Sequence, residues 1–154
     1  MRSLIKIFLR LGRCSSGGAI IESAITMPLA ISLMVGVVDF GMGFQAWATG
    51  NKSVRDAARY LGSLSQGTAC LTSAITNAKN LAVYGNIAGS GSALVTGWQV
   101  NGGTNNNVSV DCSTPGVVVV TANFPYNPLM LPAFMPFTGT VTLSARHEED
   151  IVGV

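Results

Sequence analysis

Residues 15–40 read SSGGAIIESAITMPLAISLMVGVVDF, and this apolar stretch decides the fold of the chain. Between residues 19 and 48 the only charged side chains are those of Glu22 and Asp39. At ~1.5 Å per residue, a helix of that length measures about 45 Å, which exceeds the ~30 Å hydrocarbon core of a bilayer. The sequence therefore predicts a long N-terminal helix over residues 18–62 that spans a membrane at about 19–48.

The composition agrees with an anchored chain that carries one further domain. Hydrophobic residues make up 48% of the 154 residues and charged residues 10%, whereas soluble domains carry ~25% charged residues. The net charge of +2 is small and scattered, so we expect no nucleic-acid partner. The length allows one modest domain after the helix, and we place it at residues 63–154.

A basic segment precedes the apolar stretch, and no acidic residue lies within it. The segment fits either a short amphipathic helix on an anionic membrane surface or a solvated leader without fixed shape. Both interpretations keep it in the cytoplasm, so the positive-inside rule sends the C-terminal domain across the membrane. The four basic residues before Glu22 are Arg2, Lys6, Arg10 and Arg13.

The carboxylates and small residues of the stretch leave alternatives open. A carboxylate in lipid is costly, so Glu22 either has a partner or lies at headgroup level. Asp39 lies near the outer boundary, where an acid can reach the interface. The pair of Ala46 and Gly50, four residues apart, either allows close helix approach or reflects ordinary membrane composition.

The exported part reads as α+β. Helical spacing continues to Gly62, residues 63–67 break it, and a second helix covers 72–84. We predict a small antiparallel sheet after it, because Val-rich alternating segments are separated by Gly and Pro residues. The predicted strands are TGWQV (96–100), NVSVDC (107–112), GVVVVTANF (116–124) and GTVTLSARHEE (139–149).

A proline-rich segment, PYNPLMLPAFMPF at 125–137, is predicted to be a long irregular connection. Its large apolar side chains either pack on the sheet or form a contact patch for another subunit. They are Met130, Leu131, Phe134 and Phe137.

The N-terminal pattern resembles a type IV pilin precursor: a basic leader, a glycine, then a hydrophobic helix with glutamate at its fifth position. In such precursors a prepilin peptidase cuts after the glycine on the cytoplasmic side. Counting back from Glu22 makes Gly18 the first mature residue, Gly17 the residue before the cut, and residues 1–17 the cleaved leader. Because the two glycines are adjacent, a cut after Gly18 is the alternative.

The longer run from Gly17 to Gly62 is similar to the TadE-like pseudopilins of tight-adherence (Flp) pilus systems. The features that carry the likeness are Glu22, the MPL sequence, DFG at 39–41 and NKSVRDAARYLG before the break. Ser23 departs from the pattern, since an aromatic residue is often found there. The resemblance implies a structural minor pilin or pseudopilin in the bacterial inner membrane, with its N-terminus cytoplasmic and its C-terminal domain periplasmic.

The resemblance also implies partners and a role for Glu22. The partners are other pilin subunits, the prepilin peptidase, the inner-membrane pilus assembly machinery and membrane lipid. In pilin assemblies this carboxylate meets the new N-terminal amine of a neighbouring subunit in an apolar environment, where the pair interacts more strongly than in water. Glu22 is then an assembly residue of a pilus used in cell adhesion. The subunit that carries it either enters the fibre, primes it or stays in the membrane machinery.

Cys70 and Cys112 would be exported, whereas Cys14 would leave with the leader. An oxidising compartment favours a disulfide between the two exported cysteines. The alternative is a pair of buried free thiols.

Ala46-Trp47-Ala48 fits a signal-peptidase pattern, which offers a competing route of export. The apolar stretch before it is longer than the 7–15 residues of a signal-peptide core. A cut there would release a free periplasmic domain. The alternative function is accordingly an anchored or secreted periplasmic binding domain outside any pilus system.

Catalytic chemistry is not expected from this sequence. Ser144, His147 and the acids Glu148 and Asp150 suggest a hydrolase, but they crowd into one strand end, whereas catalytic triads assemble from separate segments. The sequence contains no nucleophile elbow, phosphate-binding loop or metal-ligand motif. We therefore predict a protein that is not an enzyme and needs no cofactor or metal.

Overall fold

A computed structural model of the chain describes residues 15–129 and 139–151, and one helix dominates it. Helix α1 runs from Ser15 to Gly62 without interruption and continues through Pro28. It begins before both glycines of the predicted cleavage site. The long N-terminal helix predicted from the apolar stretch is confirmed.

Two shorter helices follow α1. Helix α2 (Gln66–Ala69) begins within the predicted break at 63–67 and ends two residues beyond it. Helix α3 (Thr72–Tyr84) has the predicted bounds, and it ends where the Gly85 N–H donates to the Leu81 carbonyl at 3.0 Å. Gly85 has a φ of 73°, a left-handed conformation that glycine adopts without a steric penalty.

Three alanines make up most of the buried face of α3, which also includes Val83, and α3 packs against α1. Small side chains let the two helices approach closely. The residues of this contact region with no or little exposure are Ala74, Ala78 and Ala82 from α3, and Ala57 and Ala58 from α1.

The sheet has three antiparallel strands in the order β1-β2-β3. The strands are β1 (Asn107–Asp111), β2 (Val117–Tyr126) and β3 (Val141–Asp150), and Val120 of β2 pairs with His147 of β3. Together with the three helices they confirm the α+β fold class.

The prediction of a strand at TGWQV (96–100) is wrong. Gly97 has a φ of 80°, and the Trp98 N–H donates to the Val95 carbonyl at 3.0 Å, which makes this segment a turn. The Asn106 side chain holds the turn: its amide donates to the Gly97 carbonyl at 2.9 Å and its oxygen accepts from the Gln99 N–H at 2.7 Å. These side-chain bonds occupy groups that a strand would pair with a neighbouring strand.

The core lies between the sheet and the C-terminal half of α1. The rings of Trp98 and Phe124 pack against each other at a tilt of 43° with centroids 4.8 Å apart, and both side chains are buried. Other large buried side chains are those of Val54, Leu61, Val83, Val118 and Val120. The sheet and α3 therefore pack against the C-terminal half of α1.

Two groups of sequence predictions fall outside the described residues. The basic segment lies there up to Cys14, so the structure gives no account of its conformation. The four large apolar side chains of the proline-rich connection lie there too, namely Met130, Leu131, Phe134 and Phe137.

Candidate functional site

The N-terminal half of α1 presents an apolar surface. Nearly all side chains from residue 18 to residue 34 are exposed. By length and composition, residues Gly17–Gly62 form a helix that could cross a membrane. The large hydrophobic side chains exposed before Val35 are Ile20, Ile21, Ile25, Met27, Leu29, Ile31, Leu33 and Met34.

The residues predicted to direct processing and assembly lie in the first turns of α1. Within the described part of the chain, no side chain and no other element lies within 4 Å of where a Cβ of Gly17 or Gly18 would lie. Glu22 follows about one turn later and its side chain is exposed. The structure brings these three residues together on one short helical segment, and their roles stay predictions.

Asp39 joins α1 to the end of the sheet. Its side chain is 4% exposed, and Oδ1 accepts a hydrogen bond from the Leu129 N–H at 3.1 Å. Its main-chain carbonyl accepts a hydrogen bond from the Tyr126 hydroxyl at 2.7 Å. The sequence suggested an acid that reaches the membrane interface, but packing of the domain turns this carboxylate towards protein groups.

Two glycines on the C-terminal side of Asp39 let the sheet approach α1 closely. A Cβ at Gly43 would lie 3.2 Å from Cε1 of Tyr126, and a Cβ at Gly50 would overlap the ring of Phe124. The pair of Ala46 and Gly50 therefore contributes to contact within the chain, since Ala46 packs against the same core. Close approach at this site is between helix and sheet, whereas the sequence suggested helix and helix.

The structure joins Cys70 to Cys112 by a disulfide, with Cα atoms 6.2 Å apart. This distance lies within the usual range for bridged cysteines. Cys70 follows α2 and Cys112 follows β1. Next to it, the Ser113 N–H donates to Asp111 Oδ1 at 2.9 Å, and this bond lowers the pKa of the Asp111 carboxyl.

The strand end that suggested a hydrolase does not assemble a triad. His147 Nε2 lies 3.1 Å from Glu149 Oε2, two residues along β3. Ser144 lies on the opposite face of the strand, because it is an odd number of positions, three, before His147 and successive side chains alternate between the two faces. Among residues 15–129 and 139–151 no group of three or more histidine, cysteine or acidic side chains could hold a metal ion.

A family model matches the part of the chain that contains the glycine pair, Glu22 and Asp39. Residues 17–59 match the TadE-like protein family. This segment is TadE-like. The match covers 43 of the 154 residues, so it describes a likeness of this helical segment. No curated protein and no solved structure matches the chain.

The TadE-like segment ends inside the packed half of α1, so the sheet lies outside the matched region. Its Asp39 was identified in the sequence as part of an acid–Phe–Gly motif, but its docking role was missed. Its partners Tyr126 and Leu129 are 87 and 90 residues away in the chain. An acid in an otherwise apolar run was the available signal that a protein partner exists.

Tyr126→Phe is expected to weaken the attachment of the sheet to the TadE-like segment by about 1 kcal/mol, because it removes one hydrogen bond. Burial, and then the nearby Asp39 carboxylate, raise the pKa of Tyr126 above its ordinary value near 10. A raised pKa in the folded state contributes stability below pH ~10 that is lost as the pH rises further. Denaturant unfolding in detergent at several pH values measures both effects.

The same substitution at Tyr84, which leaves the helix–sheet bond intact, is the matched control for Tyr126→Phe. The advantage of wild type over Tyr126→Phe should be constant below pH ~10 and shrink above it. An advantage that grows above this pH would contradict the assigned direction of the Tyr126 pKa.

Replacing Cys70 and Cys112 together by serine is expected to lower the free energy of unfolding by about 4 kcal/mol. The two residues are 42 positions apart, and the bridge restricts the unfolded chain accordingly. Denaturant unfolding of the oxidised protein with and without a reducing agent measures this difference. Reduction should destabilise wild type and leave the double-serine variant unchanged; a wild type indifferent to reduction would contradict the prediction.

Proposed function

We propose that the chain is a structural minor pilin or pseudopilin that acts in assembling a tight-adherence (Flp, type IV-like) pilus. The single observation that carries this proposal is the TadE-like match over residues 17–59. The exposed apolar half of α1 supports it, since a pilus subunit needs such a surface for membrane anchoring and for helix packing.

In this proposal α1 anchors the chain in the inner membrane, with its N-terminus in the cytoplasm and its domain in the periplasm. The side chains of α1 are nearly all exposed up to residue 34, and from Asp39 onwards the helix contacts the sheet domain. Residues 18–38 measure about 30 Å as a helix, which matches the hydrocarbon core. We therefore assign residues 18–38 to the hydrocarbon core, and residues 39–48 of the predicted span to the headgroup region and above.

Prepilin peptidase would cut after Gly17 in this proposal. The bonds on both sides of Gly18 lie within α1, so a peptidase must open this turn. Glycine destabilises a helix interior by ~1 kcal/mol relative to alanine, which makes a glycine pair the easiest place to unwind. The same pair supports the alternative cut after Gly18 equally well.

Glu22 would serve assembly by pairing with the N-terminal amine of a neighbouring subunit. Its exposure on the apolar half of α1 leaves the side chain accessible to such a partner. The other proposed partners are the prepilin peptidase, the inner-membrane assembly machinery and lipid. The role is structural, and no catalytic step is assigned to any residue.

A freely secreted domain cut after Ala48 fits the geometry poorly. That cut would fall inside α1 and would remove Asp39 and Gly43, which contact Tyr126. The remaining domain would expose the end of β2 that the helix covers. This geometry favours the anchored chain over the signal-peptidase alternative.

Deletion of the gene for this chain in its host tests the proposed function. We expect surface pili, counted by electron microscopy, to be lost and to be restored by the wild-type gene. Export of an unrelated periplasmic protein in the same cells is the control for a general secretion defect. Normal piliation of the deletion strain would contradict the proposal.

A further inference from the structure

A basic stripe runs along the exposed side of α1 beyond the apolar stretch. It consists of Lys52, Arg55 and Arg59, which are all exposed. Spacings of three and four residues place them on one helical face, opposite Leu61, which is buried in the core. Within residues 15–129 and 139–151, none of the three cations forms an ion pair. The basic stripe is therefore an unpartnered helix face of one sign of charge, with Asp56 as the acidic residue beside it.

An acidic patch lies on the face of the sheet that points away from α1. Glu148 and Asp150 of β3 are exposed and lie an odd number of positions from the buried Ala145, so they lie on the outer face of the sheet. Asp111 of β1 is exposed as well. The strand register places Asp111 and Glu148 on either side of the same residue, Val119. The three carboxylates therefore share one end of the outer face, because residues opposite each other in a sheet point to the same side.

The basic stripe and the acidic patch lie at the same height along α1. A Cβ at Gly62 would lie 2.8 Å from Cγ of Glu149 and 2.9 Å from the Asp150 carbonyl oxygen, so β3 ends beside the end of α1. Arg59 and Arg55 lie about 4.5 and 10.5 Å before Gly62 along the helix axis. The two charged faces are nevertheless on opposite sides of the molecule, because the core lies between them. One chain therefore cannot join its own stripe to its own patch.

The two faces are complementary in charge. Three cations and one acid leave the stripe and Asp56 with a net charge of +2, whereas three acids and one cation leave the patch and Arg146 with −2. Arg146 lies 3.6 Å from Glu148, and the two side chains are 66% and 60% exposed, so this pair contributes little to stability and can exchange partners. Opposite charges at matching heights favour one register of docking between two chains.

We propose that the exported domains of two copies of this chain associate side by side, with the basic stripe of one copy on the acidic patch of the next. The contact joins two different surfaces, so the copies at the ends of such a row keep a free stripe or a free patch and the row can extend. The inference rests on the anchoring in the proposed function, because α1 helices held in one membrane bring stripe and patch to the same height. It names a second copy of this chain as a partner of the exported domain.

Sedimentation equilibrium of the full-length protein in a density-matched detergent tests this contact. An excess of micelles over protein chains keeps the apolar halves of α1 apart from one another. At about 0.05 M salt the mean mass should rise with protein concentration, and at about 0.5 M salt the dissociation constant should be at least ~tenfold higher, because salt screens exposed charges. A wild type that is monomeric at both salt concentrations would overturn the proposal.

Two charge-reversal variants locate the contact and control for each other. Arg55→Glu with Arg59→Glu reverses the stripe, and Glu148→Lys with Asp150→Lys reverses the patch. Each variant alone should associate at least ~tenfold more weakly than wild type, because like charges then face each other. An equimolar mixture of the two variants should recover wild-type association, since the two native faces fit each other and the two reversed faces do as well.

Variants that associate as tightly as wild type would overturn the contact. A mixture as weak as its components would overturn it too, provided that the emission of the buried Trp98 shows both variants to be folded. The pilus count of the deletion strain is a separate measurement. Lost pili without charge-dependent association would overturn the contact and leave the proposed function intact, whereas normal piliation with charge-dependent association would overturn the pilus role and support the contact between copies.

Discussion

Gly50→Ala is expected to destabilise the packing of the sheet on α1 by about 2 kcal/mol. The added Cβ overlaps the ring of Phe124, which is fully buried and in contact with the Trp98 ring, so the ring has no free space to enter. Overpacking of this kind costs typically 1–3 kcal/mol or more, and the better helix propensity of alanine returns only ~1 kcal/mol. Denaturant unfolding in detergent measures this loss of stability. The emission of Trp98, whose ring contacts Phe124, follows the unfolding of this part of the core.

Gly41→Ala is the matched control, because Gly41 lies on the same helix and no other element of residues 15–129 and 139–151 comes within 4 Å of its Cβ position. Only the propensity gain applies there, so we expect unchanged or slightly higher stability. A larger change, Gly50→Val, should destabilise further than Gly50→Ala. Equal stability of Gly50→Ala and Gly41→Ala would contradict the described contact between α1 and the sheet.

Glu22→Ala is expected to reduce assembled pili by about a hundredfold or more without preventing membrane insertion. In the proposed assembly this carboxylate neutralises the N-terminal amine of a neighbouring subunit. Removing one partner of a buried ion pair costs about 3–5 kcal/mol, which corresponds to at least a hundredfold loss in association. Counts of surface pili, together with the amount of the protein in isolated membranes, measure the two effects separately.

Ser23→Ala is the control for Glu22→Ala, since Ser23 is the adjacent exposed residue and its hydroxyl donates to the Ala19 carbonyl of its own helix at 2.8 Å. Piliation should stay at the wild-type level in this variant. Glu22→Gln separates charge from shape, and we expect it to fail as Glu22→Ala does. Wild-type piliation with Glu22→Gln would contradict a charge-based role for this residue.

Local signals were sufficient to predict the helices. The apolar stretch fixes α1 because its length exceeds a bilayer core, and α3 has the predicted bounds because Gly85 ends it in a left-handed conformation.

Features that depend on distant residues were not predictable from local pattern. The segment around Trp98 has the composition of a strand, but Gly97 and the Asn106 side chain make it a turn. Asp39 lies in an apolar run, and only the folded chain shows that Leu129 donates to it. For Glu22 the proposed partner belongs to another molecule, so neither the sequence nor the fold of one chain tests it.

The central claim is that α1 is a pilin-type helix released from its leader by prepilin peptidase. The most direct test is the intact mass and N-terminal residue of the protein extracted from membranes of hosts with and without that peptidase. We expect a chain that starts at Gly18 when the peptidase is present and retains its leader when it is absent; a start at Ala19 would keep the class and shift Glu22 to the fourth position. A start at Thr49, or an intact leader in both hosts, would contradict the account.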